Sequence, residues 1–154
     1  VLATDRRILV ASPDYVARHG APQSPEDVAR HNALLFASAG PVDHWNFIGR
    51  DGNRVSVRPV GNLETNNCDA LRAAILAGLG IALRPLWDIW NDLAVGRMVA
   101  LLRDYHSPSF PIQAVYPTRR HLPQKTRLFI DLLVERFGNV PYWDNATEAP
   151  GGGD

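Results

Sequence analysis

Residues 73–85 read Ala-Ala-Ile-Leu-Ala-Gly-Leu-Gly-Ile-Ala-Leu-Arg-Pro, and no other stretch limits the fold so tightly. The pattern predicts a helix that ends at Gly78 and a buried strand that begins at Leu79, centred on 81–83. Asn66-Asn67-Cys68-Asp69 stand just before it. Asparagine is a leading N-cap residue, so the helix is expected over about 68–77. A polar helix start, a helix, a glycine turn and a strand together offer backbone N–H groups to a small ligand in many α/β proteins. Gly78-Leu79-Gly80 has neither dinucleotide-fingerprint nor phosphate-loop spacing, so its glycines read as turn and close-packing residues.

The surrounding chain alternates in the same way. Residues 8–11 form an apolar strand. Ser12-Pro13 then supplies an N-cap and a proline at the first helical position, with a stop at Gly20. Ser24-Pro25-Glu26-Asp27 repeats the signal and opens a helix to about His31. Strands are expected at 34–37, 44–48 and 55–60, with Asp51-Gly52 turning the last two into a hairpin. Pro85 opens a further helix whose Leu86, Ile89, Trp90 and Leu93 fall on one face. Strands at 99–102 and 112–116 follow. The final helix, 124–137, carries Leu128, Phe129, Leu132, Leu133 and Phe137 as an apolar stripe. The expected fold class is α/β with a partly parallel sheet.

The 154 residues are about one domain's worth, and at 45% hydrophobic they support a real core. Sixteen basic residues balance sixteen acidic ones, which argues against a nucleic-acid-binding domain. Cys68 is the single cysteine, so a reducing compartment is favoured and the cytoplasm is the expected location. No run is long enough for a membrane span. The chain lacks an initiator methionine and is expected to be a fragment or a processed product.

With the elements placed, the chain resembles the effector-binding part of LysR-type transcriptional regulators over about residues 6–138. The matching pieces come in the family's order: 7–15, 20–31, Trp45-Asn46-Phe47 with Asp51-Gly52, 66–85, Leu93 with 96–102, and 114–131. The resemblance implies a periplasmic-binding-protein type II-like fold. One complete lobe (13–110) would be entered by a crossover strand (1–12). The returning strand and final helix of the other lobe (111–138) and a disordered tail (139–154) would follow. The family's DNA-binding head and most of the first lobe are absent from this segment. DNA binding would therefore belong to the parent protein.

The resemblance also implies a non-catalytic role, with a small effector held between lobes and dimeric regulatory domains rearranging around it. Thr65, Asn66 and Asn67 would form the rim, where a helix N-terminus suits a carboxylate or other small anion. Ser12, Phe36 and Ser38 would face the same cleft. Four of them also have a plainer role: Asn66 or Asn67 as a cap, Ser12 as an N-cap, Phe36 as core. Arg84 could pair with an anionic effector or form a rim salt bridge. Cys68, without a resolving partner, reads as structural. The histidines at 19, 31, 44, 106 and 121 lack metal spacing, so neither a metal nor a cofactor is expected. Arg119-Arg120-His121 with Lys125 and Arg127 reads as a solvated basic surface.

Two other functions fit the α/β class. A stand-alone solute-binding protein would require an export signal. An α/β hydrolase would require a nucleophile elbow, and no Gly-x-Ser-x-Gly is present.

Overall fold

A computed structural model describes residues 1–37, 44–116, 123–138 and 141–144. Ser38, the 119–121 cluster and most of the glycine-rich tail lie outside the described residues.

The short crossover strand β1 (Ala3–Asp5) leads into β2 (Arg7–Ala11), and α1 (Pro13–His19) follows. Ser12 caps α1 by accepting the Tyr15 N–H at 3.1 Å, and Gly20 ends it at positive φ. The second Ser-Pro signal yields a 3-10 helix, Pro25–Arg30, instead of an α-helix. Asp27 reaches back to the N–H groups of Gln23 and Ser24 at 3.0 and 3.1 Å, and only Pro25 and Val28 are buried. A segment this short with so little to bury keeps the tighter helix.

Strands β3 (Leu34–Phe36), β4 (Trp45–Gly49), β5 (Arg54–Val57) and β6 (Leu63–Thr65) come next, then α2 (Cys68–Leu76). Strand β7 (Ala82–Pro85) runs directly into α3 (Leu86–Ala94). The chain continues through β8 (Val99–Leu101), β9 (Tyr105–His106), β10 (Phe110–Ile112) and α4 (Gln124–Phe137).

Strand β2 lies between β7 and β8, antiparallel to both. Strands β3 and β6 are parallel, and a parallel bridge from Ala33 to Ile81 joins them to β7. The hairpin β4–β5 pairs antiparallel across Asp51-Gly52, with β9 on its other side. Parallel and antiparallel pairing therefore coexist across the described sheets, as the sequence implied.

The central strands are buried on both faces. Leu9, Ala11, Ala33, Leu35 and Ile81 pack with Trp45, Phe47 and Val57. Their alternates Val10, Leu34 and Ala82 pack with Leu71, Ile75 and Ile89 of the two helices. Burial on both sides is why these strands read as continuous apolar runs.

Several expectations are corrected. Leu79 is 55% exposed, because the α2–β7 turn is not yet in the sheet; Ile81 makes one bridge and β7 proper begins at Ala82. Gly78 takes φ +73°, and a Cβ on Gly80 would lie 2.2 Å from the Asn32 carbonyl oxygen. The conformation of the first and the close approach of the second both require glycine. The strand expected at 112–116 is instead Phe110–Ile112, set by its pairing with β1. Strand β5 stops at Val57, short of Val60. The strands β6 and β9, three and two residues long, carry too little pattern to be seen in sequence.

Candidate functional site

Helix α2 and strand β7 are joined by a short turn, so they run antiparallel. The N-terminus of α2 is therefore level with Pro85 at the far end of β7. In register, Arg7 is the partner of Pro85. Arg7 follows the crossover strand β1, so the α2 N-terminus and the crossover share one end of the lobe.

Four of the residues expected at the site meet there. Thr65 ends β6 and pairs with Phe36 at the end of β3; the Ala37 N–H donates to the Thr65 carbonyl at 3.0 Å. Thr65 Oγ1 accepts the Asn67 N–H at 3.1 Å, and Asn67 Oδ1 accepts the Ala70 N–H at 3.0 Å. Asn67 is thus the N-cap of α2, and Asn66 and Asn67 are exposed. The first-turn N–H groups of Cys68 and Asp69 have no intrahelical acceptor, and they sit at the positive end of the helix dipole. Cys68 is half-buried.

Ser12 is elsewhere. It follows β2 at the end opposite Arg7, and its Oγ would come within 3.2 Å of a Cβ at Gly78, just beyond the C-terminus of α2. A nine-residue helix, about 13 Å of axis, lies between Ser12 and the Asn67 cap. Ser12 is 3% exposed and committed to the Tyr15 N–H.

Arg84 lies behind Phe36. It is 2% exposed, pairs with Asp88 in the first turn of α3, and places its guanidinium carbon 5.3 Å from the Phe36 ring centroid. The salt bridge is therefore buried, not a feature of the rim. Phe36 is half-buried and packs on the α2–α3 core, so it is both core and exposed edge.

The crossover is tied to the lobe by polar contacts with little sequence signal. Ser107 Oγ accepts the Arg7 N–H at 2.7 Å and donates to the Arg7 carbonyl at 2.9 Å. The buried Asp5 carboxyl stands at the start of α3. Burial pushes its pKa up, opposed by the N–H groups of Trp87, Arg6 and Leu86 and by the Arg7 charge. Sequence spacing alone joins residues 7 and 107 to nothing.

A groove of about 870 Å³ opens along β8, lined by Arg7, Arg50, Ala100, Arg103, Tyr105 and His106 among others. It holds none of the residues expected at the site. Among the described residues no three His, Cys, Asp or Glu come together as a metal cage. Lys125 and Arg127 lie on exposed α4.

Comparison with known proteins supplies the frame for this lobe. The family described as LysR substrate binding domain matches residues 1–138. The HTH-type transcriptional regulator CrgA of Neisseria meningitidis (serogroup C, strain 8013) is 35% identical over 132 residues, 85% of this chain and 44% of the relative. The regulatory domain of AphB from Vibrio vulnificus, treated with cumene hydroperoxide, superposes with a TM-score of 0.76 at 34% identity, covering 87% of this chain and 66% of that one. Full-length Vibrio cholerae AphB, a virulence activator, gives a TM-score of 0.77 at 30% identity, covering 87% and 46%. The chain thus spans under half the length of the curated relative it matches. Its fold is that of the regulatory domains, periplasmic-binding-protein type II-like. A match over residues 1–138, together with that shared fold, makes the chain a member of the LysR substrate-binding domain family.

Proposed function

We propose that this domain senses a small molecule at the N-terminus of α2, within a LysR-type regulator whose DNA-binding head lies outside the segment. The observation that carries the reading is the convergence of Phe36, Thr65, Asn66 and Asn67 around free N–H groups, at the end of the lobe where the crossover enters. A ligand there would sit between this lobe (13–110) and the one to which 1–12 and 111–138 connect. Because it contacts both, it stabilises the closed arrangement by its difference in affinity for the two states. Closure then biases the packing of paired regulatory domains, and through them the DNA-binding heads. The role is non-catalytic and cytoplasmic. No helix among the described residues is long and apolar enough to cross a membrane. Ser12 is assigned to the α1 cap and Ser38 is retained as a candidate contact. The dipole and the free N–H groups favour an anionic effector.

The test is an NMR-monitored screen of small metabolites. The expected result is that hits move the backbone resonances of residues 65–69, and that Thr65→Val with Asn67→Ala weakens them while the fold persists. Hits that leave those resonances unmoved would overturn the assignment.

A further inference from the structure

Arg84 is a charge placed where an aliphatic strand residue would be expected, and its hydrogen bonding is incomplete. It faces Ile8 in register and shares a strand face with Ala82, which packs with Leu71, Ile75 and Ile89. Its side chain therefore enters the space between α2 and α3, at the end where both helices begin. Nη2 donates to the Asp88 carboxylate, the guanidinium carbon lies over the Phe36 ring, and the buried Nε has no hydrogen-bond partner. Buried guanidinium N–H groups are ordinarily satisfied, since an unmade bond at a charged donor is costly.

We propose that Arg84 is the group that selects a monocarboxylate at the effector site, its unused Nε–H being the donor that the carboxylate takes up. The inference rests on the cleft reading above and adds the ligand's chemical class. Phe36, which the guanidinium touches, is the register partner of Thr65, two residues before the Asn67 cap of α2; in the proposed complex one carboxylate oxygen takes the first-turn N–H groups and the other takes Nε. Phe36 is the cover: its half-buried ring, at the last residue of β3, turns aside to admit the carboxylate and then walls the ligand's apolar part. A single negative charge is favoured over two. Asp88 already neutralises Arg84, and Glu64 and Asp69, both exposed beside the site, repel a dianion.

The experiment is an NMR titration with phenylacetate and butyrate, their neutral amides phenylacetamide and butyramide, and inorganic phosphate. The arginine Nε–H and the Cys68 and Asp69 amide resonances are followed. The carboxylates are expected to move Arg84 Nε–H and both amides, while the neutral amides and phosphate do not. Arg84→Lys keeps the charge but loses the Nε–H and should weaken phenylacetate about tenfold, the scale of one charge-assisted hydrogen bond. Asp88→Asn should instead tighten it. Equal binding of phenylacetate and phenylacetamide, with Arg84→Lys without effect, overturns the role of Arg84 and leaves the cleft reading standing. Stronger binding of phosphate than of either carboxylate overturns the monoanion preference. No movement of Arg84 Nε–H with any carboxylate overturns the proposal, and the cleft reading then stands or falls on the metabolite screen.

Discussion

Helices α2 and α4 carry similar apolar stripes and have opposite fates. In α2, Leu71 and Ile75 are fully buried against the sheet. In α4 no residue is buried, and Leu128, Phe129 and Leu132 are each more than half exposed. Its last turn engages the rest of the described chain, where Phe137 meets Trp143 edge-on at 5.6 Å. A helical period states that one face requires cover. It does not state what covers that face, and Leu128, Phe129 and Leu132 of the α4 stripe stay largely exposed.

Paired truncation should separate the two helices most widely. Ile75→Ala should cost about 3–4 kcal/mol through lost burial and a cavity, whereas Leu132→Ala should stay within about 0.5 kcal/mol. Denaturant unfolding of both variants checks it, and comparable losses would show that α4 is packed in solution.

Next in size is the polar clamp between the two well-packed helices. Arg72 holds the buried Asp92 through two hydrogen bonds of 2.6 and 2.7 Å, and Arg97 adds a third at 2.7 Å. Burial by itself would raise the Asp92 pKa. The two guanidinium groups outweigh it and hold the carboxyl below its usual range near 3.8. Its stabilising contribution is therefore present at neutral pH and lost as pH falls below 3.8. Asp92→Asn should cost about 2 kcal/mol by leaving charged donors half-paired, read as a shifted denaturation midpoint.

Association comes third. An uncovered apolar stripe of this kind is rare on a soluble monomer, so this segment by itself should self-associate through α4. Sedimentation should show the monomer restored by Leu128→Glu with Leu132→Glu. A wild-type segment that sediments as a monomer with a rigid α4 would refute the idea.

The smallest effect concerns His31. Its Nδ1 lies 2.8 Å from the Tyr15 hydroxyl. Burial lowers its pKa from the ordinary 6.5, Asp27 opposes this and His19 adds to it. The fold thus favours neutral imidazole, so stability is complete above pH 6.5 and declines as pH falls through 6.5 towards the lowered value. His31→Gln should flatten that part of the pH–stability curve in thermal melts.

Much of the lobe was legible in the residues themselves. Ser12-Pro13, Asn67, Gly78 and Gly80 mark caps and turns because their chemistry acts within a few residues. The apolar runs of β2 and β3 and the stripe of 124–137 are likewise local periodicities. The 3-10 helix at Pro25–Arg30 shares its start signal with an α-helix and was not distinguished from one. Strands β6 and β9 were hidden because two or three residues acquire strand geometry only from their partners.

The candidate site divides in the same way. Thr65, Asn66 and Asn67 were visible as a polar helix start, since capping is local. That Phe36 joins them, that Ser12 lies at the other end of α2, and that Arg84 is buried with an unused donor depend on register between distant strands. The same is true of the contact between Ser107 and Arg7. What the sequence determined alone was the set of elements with their caps and turns, because these follow from backbone preference and short-range hydrogen bonding. Which ends of those elements coincide, and which charges lie under them, emerged with the folded packing, because pairing and burial are set between residues far apart in the chain.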